Sequence, residues 1–202
     1  MRPEITHIRP EQYVVSQWSG GTTTQLAIAP EGAAYADRDF LWRLSSAAVE
    51  LDESDFTPLP DYTRLISVLR GEMRLSHGGG EALELAPYTV HAFDGGEDTH
   101  SRGRCTDFNL MLRKGRCRGS LQSLCSQAAG QADITAPVLS PGDYADTTLA
   151  VYCGSGAVEA SLPGRSVRLA AGETALIHHA GACPVRLDWD EGVRLMLAQI
   201  YT

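Results

Sequence analysis

The sequence predicts an all-β protein: two jelly-roll barrels of related plan, joined by one short helical connector. Three observations predict it. Apolar runs are short, alternate in polarity and are separated by Gly and Pro clusters, the signature of strands in a sandwich or barrel. Only residues 119–130 have the look of a helix. Finally, "GEMRLSHGGGEALELAPYTVHAF" and "GAVEASLPGRSVRLAAGETALIH" share a layout of glycine, strand, turn, strand, corner and strand, which points to two similar halves. The expected domains are 1–118, a connector over 119–130, and a smaller barrel over 131–202.

In chain order, the expected strands of the first half are "YVVSQ" (13–17), "TQLAIAP" (24–30), "FLWRLSSAAVE" (40–50), "TRLISVLRG" (63–71), "EMRLSH" (72–77), "EALELAP" (81–87), "YTVHAFD" (88–94) and "TDFNLMLR" (106–113). Breakers fall between them: Gly20-Gly21, Pro58 and Pro60, Gly71, Gly78-Gly79-Gly80 and Gly95-Gly96. "GSLQSLCSQAAG" (119–130) begins with Ser120 as an N-cap and ends at Gly130, so it reads as the helix. Strands and hairpins return over 143–160, 165–180 and 183–201. The repeated layout is how a cupin-like double-stranded β-helix, and here a bicupin, is usually written.

Charge and cysteine content narrow the function classes. The 202 residues carry a formal net charge of −8, which argues against nucleic acid, whose binding needs a basic surface, and against an anionic membrane. Lys114 is the only lysine among 17 basic residues, so nearly every cation is a planar fork suited to carboxylates. Five cysteines, Cys105, Cys117, Cys125, Cys153 and Cys183, include no C-x-x-C pair. Neither a disulfide framework nor a zinc site is indicated. "MRPEITHIRPEQY" lacks the apolar stretch of a signal peptide, and no run has transmembrane length. A cytoplasmic location is expected.

Familiar catalytic patterns are missing. His7, His77, His91, His100, His178 and His179 form no His-x-His, which a metal cupin needs to converge two ligands on one ion. A site assembled from His91 with His77 is the remaining option. No G-x-S-x-G elbow is present. "WSGGTTTQ" (18–25) lacks the lysine of a phosphate loop and reads as a turn before a strand. No catalytic residue, metal or cofactor is therefore expected.

Two strands have unusual faces. Strand side chains alternate, so in "CTDFNLML" Phe108, Leu110 and Leu112 share one face while Asp107, Asn109 and Met111 share the other. In "FLWRLSSA", Trp42 and Leu44 oppose Arg43, Ser45 and Ala47. An arginine beside small residues leaves room for an anion on its guanidinium. Three readings stay open: a solvated outer face, an Arg43–Asp107 pair inside the barrel, or a ligand pocket. Arg64 at the head of "TRLISVL" and the Phe93-Asp94-Gly95-Gly96 turn have plain structural readings as a strand-edge charge and a hairpin end.

Taken together, "WSGGTTTQLAIAP", "DFLWRLSSA", "TRLISVLRG", "FDGG" and "DFNLMLR", in this order, resemble the HutD/Ves family of bacterial proteins. The resemblance covers most of the chain and is clearest between Trp18 and Arg113. It implies a two-barrel cupin-like fold and an association with histidine utilisation, in which histidine is degraded through urocanate toward glutamate. It further implies a sensor or modulator role and a pocket, carried here by Trp18, Thr23, Gln25, Arg43, Ser45, Arg64, Phe93, Asp107, Asn109 and Met111. The chain departs from the family pattern at Gln25, where Glu is usual, in a shorter run after Trp18, and in "SDFTPLPDYTR".

The function expected is a non-catalytic binder of a small carboxylate, with urocanate or N-formylglutamate leading. Arg43 or Arg64 would hold the carboxylate, Asp107 and Asn109 would read N–H and C=O groups, and Trp18 and Phe93 would cover the apolar part. A cupin-type enzyme acting on a small acid and a protein-interaction module without a small ligand are the alternatives. The second barrel, without chemical motifs, suits a structural or homodimer-forming role.

Overall fold

The computed structural model describes residues 3–135, 144, 146–178 and 184–202. His179 and Cys183, weighed above, lie outside the described residues. The chain divides into two compact units, Tyr13–Cys117 and the combination of Met1–Gln12 with Arg118–Thr202.

An N-terminal strand β1 (Glu4–Ile8) comes first. The strands of the Tyr13–Cys117 unit follow as β2 (Val14–Trp18), β3 (Gly21–Ala29), β4 (Trp42–Val49), β5 (Glu53–Asp55), β6 (Tyr62–Gly71), β7 (Met73–His77), β8 (Leu83–Leu85), β9 (Val90–Asp94), β10 (Thr99–Arg102) and β11 (Cys105–Arg113). They form a six-stranded sheet, β2-β3-β4-β11-β6-β9, and a four-stranded sheet, β5-β10-β7-β8. Ile66, Val68 and Phe93 from the first sheet meet Met73, Leu75 and Leu85 from the second in one buried cluster. A second cluster, Phe40, Leu59, Tyr62 and Met111, closes one end, with Phe40 and Tyr62 stacked 4.3 Å apart.

The other unit contains β1, β12 (Arg118–Ser126), β13 (Gly130–Ile134), β14 (Thr147–Ser155), β15 (Ala157–Leu162), β16 (Arg165–Ala170), β17 (Thr174–His178), β18 (Val185–Trp189) and β19 (Val193–Tyr201). Its sheets run β1-β17-β14-β19-β12 and β13-β18-β15-β16. Their inner faces meet in a wholly apolar core that includes Leu149, Val151, Leu169, Ile177, Leu187, Leu195 and Leu197.

Two expectations are corrected here. Residues 119–130 are not a helix: β12 pairs antiparallel with β19 from Arg118↔Tyr201 to Ser126↔Val193. Leu121 and Leu124 have helical spacing, but a short run of this kind is ambiguous, and a nine-residue ladder decides it. The first boundary also shifts. β1 pairs with β17 (Ile5↔Ile177, His7↔Ala175), so the first residues cluster with the C-terminal half. Alternation in "EITHI" announces a strand but carries no information about which sheet it will join. Short 3-10 turns at Pro10–Gln12 and Tyr35–Asp37 complete the described elements.

The "FDGG" corner has a structural role. Gly95 N–H donates to the Tyr62 carbonyl and the Gly95 carbonyl accepts from Leu59 N–H, at 2.8 and 2.6 Å. A Cβ on Gly95 would lie 2.6 Å from the Leu59 oxygen and 2.7 Å from that of Tyr62, so only glycine lets the backbones approach. Lys114 braces the corner, donating to both Asp94 carboxylate oxygens at 2.6 and 2.7 Å and to the Pro60 carbonyl at 2.6 Å.

Candidate functional site

Directly opposed partners in an antiparallel ladder share a face. Across the six-stranded sheet one such row is Gln25–Ser45–Asn109–Ile66–His91, and the next is Ile28–Arg43–Met111–Arg64–Phe93. The register of β11 against β6 shifts between Thr106 and Asp107. At that irregularity the Ala47 amide donates to the Asp107 Oδ1 at 2.8 Å, and the Ser46 hydroxyl takes the Asp107 carbonyl at 2.6 Å. Alternation thus aims Arg43, Ser45, Arg64, Asp107, Asn109 and Met111 into one cavity of about 280 Å³. That is near the lower end for small-molecule sites, a size suited to a small metabolite.

The two arginines are held differently. Arg43 is buried; its Nε donates to Gln25 Oε1 at 2.8 Å and its Nη1 to Ser45 Oγ at 3.2 Å. Its guanidinium lies 4.4 Å from the Tyr35 ring centre. Arg64, only 7% exposed, lies 4.6 Å from the Phe56 ring and 5.2 Å from the Phe93 ring. Its Nε is buried without a hydrogen-bond partner, and among the described residues no carboxylate forms an ion pair with it. Burial lowers the pKa of both arginines, that of Arg64 to about 10, against the opposing pull of Tyr35 and Asp107. Both remain cationic at neutral pH.

Asp107 is the counterweight. Burial pushes its carboxyl up to about 6, although the Ala47 amide and then Arg64 and Arg43 favour the charged form. It shares the cavity with Arg43, but among the described residues no ion pair joins them. The solvated outer face is excluded, since Arg43 is 5% exposed. Asn109 Oδ1 is likewise buried without a partner. Beside the cavity, Arg64 Nε and Asn109 Oδ1 are thus two buried polar atoms without a hydrogen-bond partner among the described residues.

Of the ten residues expected from sequence, Trp18, Thr23, Arg43, Ser45, Arg64, Asp107, Asn109 and Met111 line this cavity. Gln25 instead steers Arg43 through the bond above, and Phe93 is a buried shelf for Arg64 rather than a wall. Trp18 is 40% exposed and folds over Gly20, where an added Cβ would clash with the indole. Ser16, Tyr35, Ala47, Val49, Ser54, Asp55, Phe56 and Thr57 line the cavity as well and were not expected. Ala47 and Val49 continue the alternation already read from Arg43 and Ser45, and Ser16 stands two residues before Trp18 on β2. Tyr35, Phe56 and Thr57 come from connecting segments, where no periodicity fixes direction.

Among the described residues no group of three His, Cys, Asp or Glu side chains could hold a metal ion. His77 and His91 do meet, Nε2 to Nε2, at 2.9 Å. The other described histidines are dispersed: His7 contacts Glu173, His100 contacts Asp55, and His178 contacts Thr148. Cys105, Cys117 and Cys153 are buried free thiols, and Cys125 is an exposed one. Among the described residues no helix is long and apolar enough to cross a membrane.

Comparison with known proteins places this geometry. Protein Ves of Cronobacter sakazakii is 30% identical over 115 residues, which cover 54% of this chain and 60% of that protein. The match thus spans less than two thirds of its length. A conserved protein of unknown function from Pseudomonas aeruginosa superposes with a TM-score of 0.79 at 28% identity, over 98% of this chain and 100% of the other. HutD from Pseudomonas fluorescens gives a TM-score of 0.74 at 24% identity, over 98% of each chain. The cupin-like fold extends to the Escherichia coli pirin YhhW, with a TM-score of 0.69 at 10% identity over 97% of each chain. The HutD family profile matches residues 10–196. The chain belongs to the HutD family, and through it is related to histidine utilisation.

Proposed function

We propose that the protein is a non-catalytic binder of a small carboxylate metabolite that modulates histidine utilisation. Urocanate and N-formylglutamate are the leading ligands. Arg64 carries the reading: a buried guanidinium without an ion-pair partner and with an unpartnered Nε is costly unless an anion completes it. A carboxylate would engage it through charge-assisted bonds. Arg43, fixed by Gln25 and Ser45, has donors left for the same or a second oxygen. Asn109 Oδ1 calls for an N–H or O–H on the ligand, which both leading candidates supply. Formate belongs in the test set too, since HutD of P. fluorescens has been solved in a formate condition.

A thermal-shift panel of histidine, urocanate, N-formylglutamate, glutamate and formate, with parallel metal analysis, tests this. A ligand at ~100 times its dissociation constant adds ~2.7 kcal/mol, a rise of several degrees for a chain of this size. A selective rise that disappears in Arg64→Gln and weakens in Asn109→Ala is expected. No rise with any acid, or one indifferent to both substitutions, sinks the assignment. Stoichiometric metal would then favour an enzyme, and its lack an interaction module.

A further inference from the structure

His77 and His91 belong to different sheets of the Tyr13–Cys117 unit: β7 in the four-stranded sheet and β9 at the edge of the six-stranded one. Their Nε2 atoms are 2.9 Å apart. The ring planes differ by 25° and the centres lie 5.2 Å apart. That separation is close to the N–N distance plus two ring radii, so the rings meet end to end. Such an arrangement shares one proton; it does not aim two lone pairs at one ion.

The surroundings assign the proton. His77 Nδ1 lies 2.9 Å from the Thr99 hydroxyl, which itself donates to the Glu97 carbonyl at 3.1 Å. The Glu97 carboxylate is 3.5 Å from the same ring nitrogen. His77 Nδ1 is therefore the donor to Thr99, its Nε2 is an acceptor, and His91 Nε2–H fills it. A first added proton goes to His91 Nδ1 and leaves the bridge intact, with a charged donor. A second has only His77 Nε2 to occupy, where two N–H groups would then face each other.

We propose that the His77–His91 pair is an acid-sensitive latch between the two sheets, closed with no or one added proton and opened by the second. The groups facing it are Glu97 from the β9–β10 turn, Thr99 from β10, and Phe93, which lies 5.0 Å from the His77 ring and 5.9 Å from that of His91. Phe93 also carries the Arg64 guanidinium on its face, which brings a cation to that side of the pair. Burial, and then His77, lower the pKa of His91, against the opposing pull of Glu97. Opening it removes the restraint on Phe93.

Long-range proton–nitrogen correlation spectra of the full ¹⁵N-labelled chain, followed from pH 8 to 4.5, test the latch. At pH 8, His77 Nε2 is expected to resonate as an unprotonated acceptor and His91 Nε2 as protonated. Acidification should then proceed in two steps, with the β9 amides losing exchange protection only in the second. A single independent titration of each ring with β9 protection unchanged overturns the proposal. His91→Gln keeps an N–H donor and cannot titrate, so its β9 protection should not respond to acid. An unaltered acid response in that variant equally overturns it, and the wild-type spectra decide the matter should the variant not fold.

Discussion

The two units follow one strand plan and fill it in opposite ways. The order β13-β18-β15-β16 matches β5-β10-β7-β8, and β17-β14-β19-β12 matches β9-β6-β11-β4. In the unit of β14 and β19, the inward positions are Leu149, Val151, Cys153, Val193, Leu195 and Leu197, all in the apolar core. In the other, β6 and β11 aim Arg64, Ile66, Val68, Asp107, Asn109 and Met111 inward. One barrel is closed by dispersion and apolar burial. Its counterpart keeps an electrostatically unfinished cavity, and under the proposed function the free energy it forgoes there is the reserve from which a bound anion would gain. The difference thus lies in a few alternating positions on three neighbouring strands, β4, β11 and β6, while the scaffold is common to both.

Converting the closed barrel into the open kind should have the largest effect. Leu195→Asp places an uncompensated carboxylate in the apolar core, with an expected loss of several kcal/mol, on the order of 5; urea unfolding should show it, whereas Asp107 is tolerated in the other unit. Asp107→Asn works in the opposite direction. The folded chain keeps this proton up to about pH 6 against an ordinary 3.8, so Asp107's contribution to stability is complete below pH 3.8 and is lost as pH rises through 6. The substitution should therefore stabilise the empty protein by up to about 3 kcal/mol at pH 7–8, and the gain should vanish toward pH 4. An unchanged pH profile would show that the cavity hydrates Asp107 fully.

Smaller effects sharpen the contrast. Arg64→Met should lower affinity for the best acid of the panel about 100-fold, the share of a charge-assisted pair, while leaving the unfolding midpoint of the empty protein level or higher. Calorimetry and denaturation must be read together, because a variant that loses both affinity and stability would recast Arg64 as a structural cation. Least is expected from Tyr35→Ala: removing the ring over Arg43 should cost about 1 kcal/mol of affinity, read as a several-fold weaker dissociation constant without a change of preferred acid.

How far the sequence spoke depended on period. β4 and β11 alternate strictly enough that the faces of Arg43–Ser45 and Asp107–Met111 could be read directly, whereas Arg64 on β6 read as a strand-edge charge and is buried. β12 could not be read, because Leu121 and Leu124, three residues apart, have helical spacing and fall on opposite faces of a strand, and only the ladder with β19 decides the matter. The partner of β1 is a choice among sheet edges, invisible to local pattern. Tyr35 and Phe56, the rings over the two arginines, arrive from connecting segments whose direction is set by tertiary packing. His77 and His91 could be named together from the sequence only as one possible assembly of separated residues; their meeting end to end needed both sheets.

The solitary lysine carries a practical consequence. Lys114 Nζ is bound by the Asp94 carboxylate and the Pro60 carbonyl, with its side chain 38% exposed. An amine-selective acylating reagent therefore finds a single side-chain target in the whole sequence, and that nitrogen is held by its bonds to Asp94 and Pro60 for as long as the Gly95 corner stays closed. The rate at which that one nitrogen is labelled becomes a clock for the opening of this corner, readable from the mass of the proteolytic peptide that carries Lys114 and needing no engineered cysteine or fluorophore.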